Sequence, residues 1–272
     1  MKNKILTLVL ILISMPLFAQ HALVGTWEMV SLKGTDADGK KMMLNTSVIR
    51  ETKIITPTHY ILIQHDVKGD SLVFKHCLAG TVRLEGNKYI ETPVTASWEP
   101  PYNNMKMDFT WKLEGDKFIQ SGTIVASDGK KTVLDELVFK KVKEATMNSN
   151  NPMVGTWDQL SSSFTLADGT KGSHTNATTN RFYVVTPAHW MMIGHKDRKF
   201  ESASWGTYTM LDKKMNLVPK TGSYSMGNTS RFELAPRLVG DKLYVAGALT
   251  WVDGKKMNWD DVFQKVSGAT AK

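Results

Sequence analysis

One cysteine, Cys77, in 272 residues excludes an intramolecular disulfide, so folding must rest on buried cores rather than covalent staples. The longest apolar run, Ile5 through Ile13 broken only by Thr7, is too short for a permanent bilayer anchor, which takes about 20 residues. Charge of one sign is nowhere concentrated. Lysine and arginine number 34 against 26 acidic residues, a formal +8, but they fall in scattered pairs such as Lys40-Lys41, Lys130-Lys131 and Lys255-Lys256. A nucleic-acid-binding arm needs a block of about five or more. A glycine-rich phosphate loop, Cys-x-x-Cys and His-Glu-x-x-His are all missing, as is any long stretch with clean helical periodicity. What remains is an ordinary globular composition, 42% hydrophobic and 22% charged, in a length suited to two domains of roughly 150 residues or less.

The first twenty residues read as an export signal. Lys2 and Lys4 precede the apolar run, and Leu17-Phe18-Ala19-Gln20 offers a small-residue boundary, which places cleavage after Ala19 and the signal at residues 1–19. No cysteine stands there to carry a lipid, so the expected product is a released periplasmic or secreted protein. Removal of Lys2 and Lys4 lowers the formal charge from +8 to +6.

The remainder repeats itself. Leu23-Val24-Gly25-Thr26-Trp27-Glu28 recurs as Met153-Val154-Gly155-Thr156-Trp157-Asp158, an offset of 130 residues. At the same offset Ala37-Asp38-Gly39 matches Ala167-Asp168-Gly169, Thr56-Pro57-Thr58-His59-Tyr60 matches Thr186-Pro187-Ala188-His189-Trp190, and His65 matches His195. The spacing then tightens by four, aligning Gly80-Thr81-Val82 with Gly206-Thr207-Tyr208, and by one more at Gly115-Asp116-Lys117 and Gly240-Asp241-Lys242. Copies of about 120 residues are whole domains rather than solenoid repeats. They divide the chain into 20–146 and 147–272, with the polar stretch Glu144 to Pro152 as linker.

Within each copy the local signals are those of hairpins. Asp-Gly pairs at 38-39, 128-129, 168-169 and 253-254 separate segments rich in Val, Ile, Thr, Tyr and Phe, as tight turns between strands require. The fold class is therefore all-β: two tandem antiparallel up-and-down barrels of about eight to ten strands each, closure removing the edges a meander leaves exposed.

A Gly-x-Trp opening a strand meander of this length resembles the lipocalin and fatty-acid-binding-protein group, and each copy resembles the lipocalin-like domain of uncharacterised function found in secreted bacterial proteins. Gly25-Thr26-Trp27, Thr56 to Tyr60, Gly80-Thr81-Val82, Tyr89-Ile90-Glu91, Lys112 to Lys117 and Glu136 to Val142 carry the likeness. The resemblance implies that the tryptophan packs at the closed end beneath a cation from the last strand, giving Gly25 and Trp27 with Lys141, and Gly155 and Trp157 with Lys265, structural roles. Lysine stands where arginine is common and lacks the planar fork of a guanidinium, so the closure is expected to be looser or differently made.

Four histidines kept between copies are the first candidates for chemistry. His59, Ile61, Ile63 and His65 share one strand face, as do His189, Met191, Ile193 and His195. Residues six apart lie roughly 20 Å apart at about 3.3 Å each, which excludes a shared metal. A satisfied structural histidine, a ligand-contacting one and a single axial metal ligand all remain open. Cys77 and His76 point to opposite strand faces and their equivalents in copy two are Ala203 and Ser202, so the pair does not look catalytic. Asp135-Glu136 and Asp260-Asp261 precede the last strands, where a solvated turn explains them. Candidate lumen residues are His59, Tyr60, His65, Glu91, Trp111, His189, Trp190, His195 and Trp205, backed by methionines that adapt to irregular shapes. Tyr89 and Glu91 become Met215 and Leu217 in copy two, so the two cavities should differ in preference. The leading expectation is a non-enzymatic tandem binding a small apolar or amphipathic molecule, with no cofactor, metal or nucleic acid called for. Its rivals are an acid–base enzyme pairing a lumen histidine with Glu91, and an interaction module with solid barrels. Whether the copies pack on one another stays open.

Overall fold

The computed structural model describes residues 22–98, 105–143, 151–187, 189–223, 231–251 and 253–266. The expected export signal and most of the expected linker lie outside the described residues. Copy one comprises β1 (Gly25–Thr35), β2 (Lys41–Met43), β3 (Ile49–Ile55), β4 (His59–Lys68), β5 (Ser71–Glu85), β6 (Lys88–Ala96), β7 (Lys106–Glu114), β8 (Lys117–Val125) and β9 (Lys131–Lys141). Copy two comprises β10 (Gly155–Thr165), β11 (Lys171–Thr175), β12 (Asn180–Val185), β13 (His189–Lys196), β14 (Lys199–Leu211), β15 (Lys214–Gly222), β16 (Arg231–Val239), β17 (Lys242–Thr250) and β18 (Lys256–Lys265).

Each copy closes on itself. Neighbouring strands pair antiparallel in sequence order, and β1 pairs with β9 as β10 pairs with β18. The first strand is long enough to serve twice: Gly25–Glu28 pairs with β3, and Lys33–Thr35 pairs with the short β2. Eight strands therefore form each barrel, with β2 and β11 lying outside the circuit. The Asp-Gly turns join β1 to β2, β8 to β9, β10 to β11 and β17 to β18, where Gly39, Gly129, Gly169 and Gly254 adopt φ of 79 to 86°, a region that costs glycine nothing.

Alternation along β6, with Tyr89 and Glu91 buried and Lys88 exposed, is that of a strand with one face in a core. β3, β4 and β13 depart from it. From Glu51 to Ile55 and from His189 to His195 every residue is buried, because these strands have cover on both faces. Two clusters of buried side chains lie inside the barrels, around Trp27, Tyr89, Phe118 and Phe139 in copy one and around Trp157, Trp190, Met215 and Phe263 in copy two. A third lies between the barrels, where Ile54, Ile61, Ile63, Cys77 and Ala79 of copy one meet Phe182, Val184, Met191, Ile193, Ala203 and Trp205 of copy two.

Candidate functional site

The closed ends are built alike. The Trp27 indole donates to Leu23 O at 2.8 Å and the Trp157 indole to Met153 O at 2.7 Å, each plug residue being 1% exposed. Lys141 Nζ sits 5.3 Å from the Trp27 ring and Lys265 Nζ 5.7 Å from the Trp157 ring. Lys141 also donates to Val24 O at 3.2 Å, so a point charge with a backbone acceptor does what a guanidinium would do by stacking. Gly25 and Gly155 hold φ of 141° and 137°, and a Cβ on Gly25 would come 3.1 Å from Lys141 Cε. Both copies need glycine here for the backbone, and Gly25 also for the lysine lying over it.

Above the plug, the lumen of barrel one holds a buried ion pair. Lys53 on β3 is the cross-strand neighbour of Trp27. Its ammonium donates to Glu91 Oε1 at 2.5 Å and Gln120 Oε1 at 3.2 Å, with side-chain exposures of 2% for Lys53 and 1% for Glu91. The faces of Phe139, Tyr89 and Tyr60 surround the same nitrogen at 5.0, 5.2 and 5.5 Å. Around this pair three buried polar atoms have no hydrogen-bond partner, the Tyr60 hydroxyl, Trp111 Nε1 and Gln120 Nε2, while the Tyr89 hydroxyl is engaged with Glu91. Burial, with the Glu91 charge added, pushes both tyrosines well above their ordinary ionisation range. Glu51, one strand pitch further along β3, is raised to about 7 by burial, against the lowering influence of Lys53 and of a 3.3 Å hydrogen bond from Gln64.

Barrel two inverts this arrangement. At the positions of Lys53, Tyr60, Tyr89, Glu91 and Gln120 it places Tyr183, Trp190, Met215, Leu217 and Val245. Its polar residues stand nearer the mouth, where barrel one has Met29, Leu32, Leu44, Glu51 and Leu137 and barrel two has Gln159, Ser162, His174, Arg181 and Asp261. His174 Nε2 donates to Gln159 Oε1 at 2.8 Å in its Nε2–H form, and Arg181 Nη1 lies 3.1 Å from the same nitrogen. Asp261, 5% exposed, is raised to about 6 by burial. The solvated-turn expectation for Asp260-Asp261 is thereby corrected: both residues lie within β18, and Asp261 points inward opposite Ser162.

The kept histidines are in neither lumen. On β4 and β13 the even positions Tyr60, Leu62, Trp190 and Met192 face inward, and the odd positions face the other barrel. Thr56 and Thr186 each hold their Thr-Pro turn by accepting from the amide of His59 or His189 at 3.1 Å. The same hydroxyls reach across: Thr56 Oγ1 to Thr156 Oγ1 at 2.6 Å, and Thr186 Oγ1 to Thr26 Oγ1 at 3.3 Å. His189 Nδ1 lies 3.1 Å from Thr26 Oγ1, while His59 Nδ1 turns to Thr58 Oγ1 at 2.8 Å and its ring packs 5.6 Å from Phe182. Trp205 Nε1 donates to His65 Nε2 at 2.9 Å, and His195 packs edge-on to Phe182 at 6.3 Å. Corresponding residues thus meet reciprocally, as in an isologous dimer interface, here within one chain. Burial lowers His59, His65 and His189 to about 4 and His195 below its ordinary value.

Of the nine candidate lumen residues, Tyr60, Glu91, Trp111 and Trp190 face a lumen. His59, His65, His189, His195 and Trp205 are corrected to the interface. The histidines and Glu91 occupy opposite faces of the barrel wall, so the expected acid–base pair does not form. Lys53, Glu51 and Gln120 were missed; the parity that sets Lys53 on the Trp27 face was the available signal. A bulge between Gln64 and His65 moves Lys75 out to solvent beside Asp66 at 3.1 Å and turns Phe74 toward Phe200 at 6.1 Å, leaving Cys77 fully buried.

No helix among the described residues is long and apolar enough to cross a membrane, and no group of three metal-ligating side chains is found among them. No family model and no curated protein matches the chain. Among solved structures it is similar to a protein of unknown function from the DUF3598 family of Nostoc punctiforme, at 10% identity over 89% of this chain and 96% of that one, with a TM-score of 0.29. It is also similar to the isotype 1 transferrin binding protein B of serogroup B Neisseria meningitidis, at 8% identity over 89% and 76%, TM-score 0.28. A third is a putative AttH from Nitrosomonas europaea, at 11% identity over 89% and 92%, TM-score 0.21. At such scores none of the three bears on function, and the architecture rests on the strand pairing itself. The chain is a tandem of two closed, eight-stranded antiparallel barrels.

Proposed function

We propose that the protein is an exported, non-enzymatic binding protein whose first barrel takes a neutral amphipathic molecule head-first, an oxygen-bearing head deep in the lumen and an apolar body toward the mouth. The observation that carries this reading is the set of three unpartnered polar groups, the Tyr60 hydroxyl, Trp111 Nε1 and Gln120 Nε2, around the Lys53–Glu91 pair. Leaving a buried donor unpaired costs about 1–3 kcal/mol, and a hydroxyl, ester or amide oxygen of a ligand relieves that cost. Trp111 Nε1 and Gln120 Nε2 only donate, so the head must accept. A carboxylate head is disfavoured because two carboxyl groups, Glu51 and Glu91, already face one ammonium. Leu32, Leu44, Leu62 and Leu137, packed above, suit an apolar body. Export rests on the N-terminal Lys2, Lys4 and Ile5–Ile13 pattern.

Native mass spectrometry of protein purified from its own source tests the reading. One retained neutral amphipathic molecule per chain is expected. A protein that retains nothing, and that also fails to bind a monoacylglycerol probe saturably in a tryptophan-fluorescence titration, contradicts it.

A further inference from the structure

The reciprocal interface is broken on one side, and the break is a cleft. In copy two the β13–β14 hairpin is four residues shorter than its β4–β5 counterpart, and it clamps barrel one through Arg198 Nη2, which donates to Pro93 O at 3.1 Å. The longer β4–β5 hairpin faces barrel two differently. With the outer edge of β1 and β3 it walls a cavity of about 550 Å³ against β13, β14 and β15. That is within the range of small-molecule sites, which favour domain boundaries. The floor holds Trp205, which stands where copy one has Ala79, and His189. His189 spends Nδ1 on Thr26 and leaves Nε2 for an occupant.

Four charged side chains line this cleft, Glu28 and Arg50 on β1 and β3, Asp70 on the hairpin and Lys220 on β15, and none is in an ion pair with another described residue. Two cations and two carboxylates around one cavity, unspent on each other, match a ligand that carries both signs and no net charge. His189 adds no further charge at neutral pH, since burial and the Lys220 ammonium hold it to about 4.

We propose that the inter-barrel cleft binds a small zwitterion, an amino acid or short peptide, its carboxylate taken by Arg50 and Lys220, its ammonium by Glu28 and Asp70, and its apolar side chain lying toward Trp205 and Leu72. The site is separate from the lumen of barrel one and stands or falls independently of it. Calorimetric titration of the full chain with phenylalanine and glycyl-phenylalanine, alongside N-acetyl-phenylalanine and phenylalanine amide, reads each charge separately. Saturable binding of a zwitterionic probe is expected, with each blocked analogue at least about tenfold weaker, the equivalent of about 1.4 kcal/mol. Arg50→Ala and Asp70→Ala, both at exposed positions, should weaken the zwitterion by a similar factor while leaving monoacylglycerol binding unchanged. No saturable binding of either zwitterion up to millimolar concentration overturns the proposal. So does equal binding of the blocked analogues, or binding that survives both substitutions.

Discussion

Barrel one keeps the Lys53–Glu91 pair deep and sets leucines with Glu51 nearer its mouth; barrel two has an apolar depth and a mouth set with Gln159, Ser162, His174, Arg181 and Asp261. On their outer faces the barrels agree, pairing Thr26 with Thr186 and Thr56 with Thr156 across one interface. The Gly-x-Trp closed ends and the Thr-Pro-x-His turns at the interface are kept between the copies, while the interface also differs at Ala79 and Trp205 and the lumens differ at Lys53 and Tyr183 and at Glu91 and Leu217.

The largest expected effect comes from making barrel one half like barrel two. Lys53→Met leaves Glu91 buried and unpaired, and urea unfolding should show a loss of about 3–5 kcal/mol. Adding Glu91→Leu, the residue at the matching position in copy two, should recover most of it, because an apolar pair of similar volume serves as well as a buried ion pair. A double variant as unstable as the single one would mean that the pair is not isolated in the lumen.

Next, Ile63→Ala and Ile193→Ala remove matching side chains from the two sides of the interface. Each should cost about 2–5 kcal/mol, and the two costs should be alike. A marked inequality would break the reciprocity. The histidines are expected to differ more finely. His65→Ala strips the Trp205 indole of its acceptor, for about 1–3 kcal/mol, whereas His195 packs only against an aromatic edge and His195→Ala should cost less in the same denaturation assay.

Near neutrality the proton has the smallest effect, and its sign differs between regions. His59, His65 and His189, lowered to about 4, contribute stability that is complete above about 6.5 and is lost as pH falls toward 4. Glu51 and Asp261, raised to about 7 and 6, run the other way, their contribution growing as pH falls through those values toward the ordinary carboxyl range. Acid should therefore part the barrels before it melts them. Small-angle scattering at pH 4 should show a larger radius than at pH 7 while circular dichroism still reports β-structure; simultaneous loss of both would refute this order.

Much of this was legible in the sequence. Offset repeats pointed to two copies, Asp-Gly turns to hairpins, and the resemblance carried by Gly25-Thr26-Trp27 implied a closed end with Lys141 above it. Strand parity also placed His59, Ile61, Ile63 and His65 on one face. It could not say which face was the lumen, because a strand with cover on both sides lacks the apolar–polar alternation that tells inside from outside. Burial from His189 to His195 on every residue is the structural form of that ambiguity. Lys53 stayed hidden for a related reason: its partners Glu91 and Gln120 come from β6 and β8, and barrel closure alone brings them together. Trp205 was drawn to the lumen as an aromatic in a strand, though its neighbour Ala203 and its counterpart Ala79 both belong to the outer face.

The lone thiol offers the most direct measurement. Cys77 lies inside the interface, fully buried, and burial pushes its ionisation far above the ordinary thiol range, so an aromatic disulfide reagent, which forms a mixed disulfide and releases a thiolate, should fail to modify the native chain. If the kept faces hold the barrels together, Ile193→Asp, a change on barrel two alone, should expose Cys77 to rapid reaction with the β-sheet signal of barrel one retained. The Lys53→Met/Glu91→Leu variant, altered only in the lumen, should stay as unreactive as the parent. A thiol that reacts freely in the native chain, or that becomes reactive through the lumen change and not through the interface change, would contradict the assignment of the histidine-bearing face to the interface.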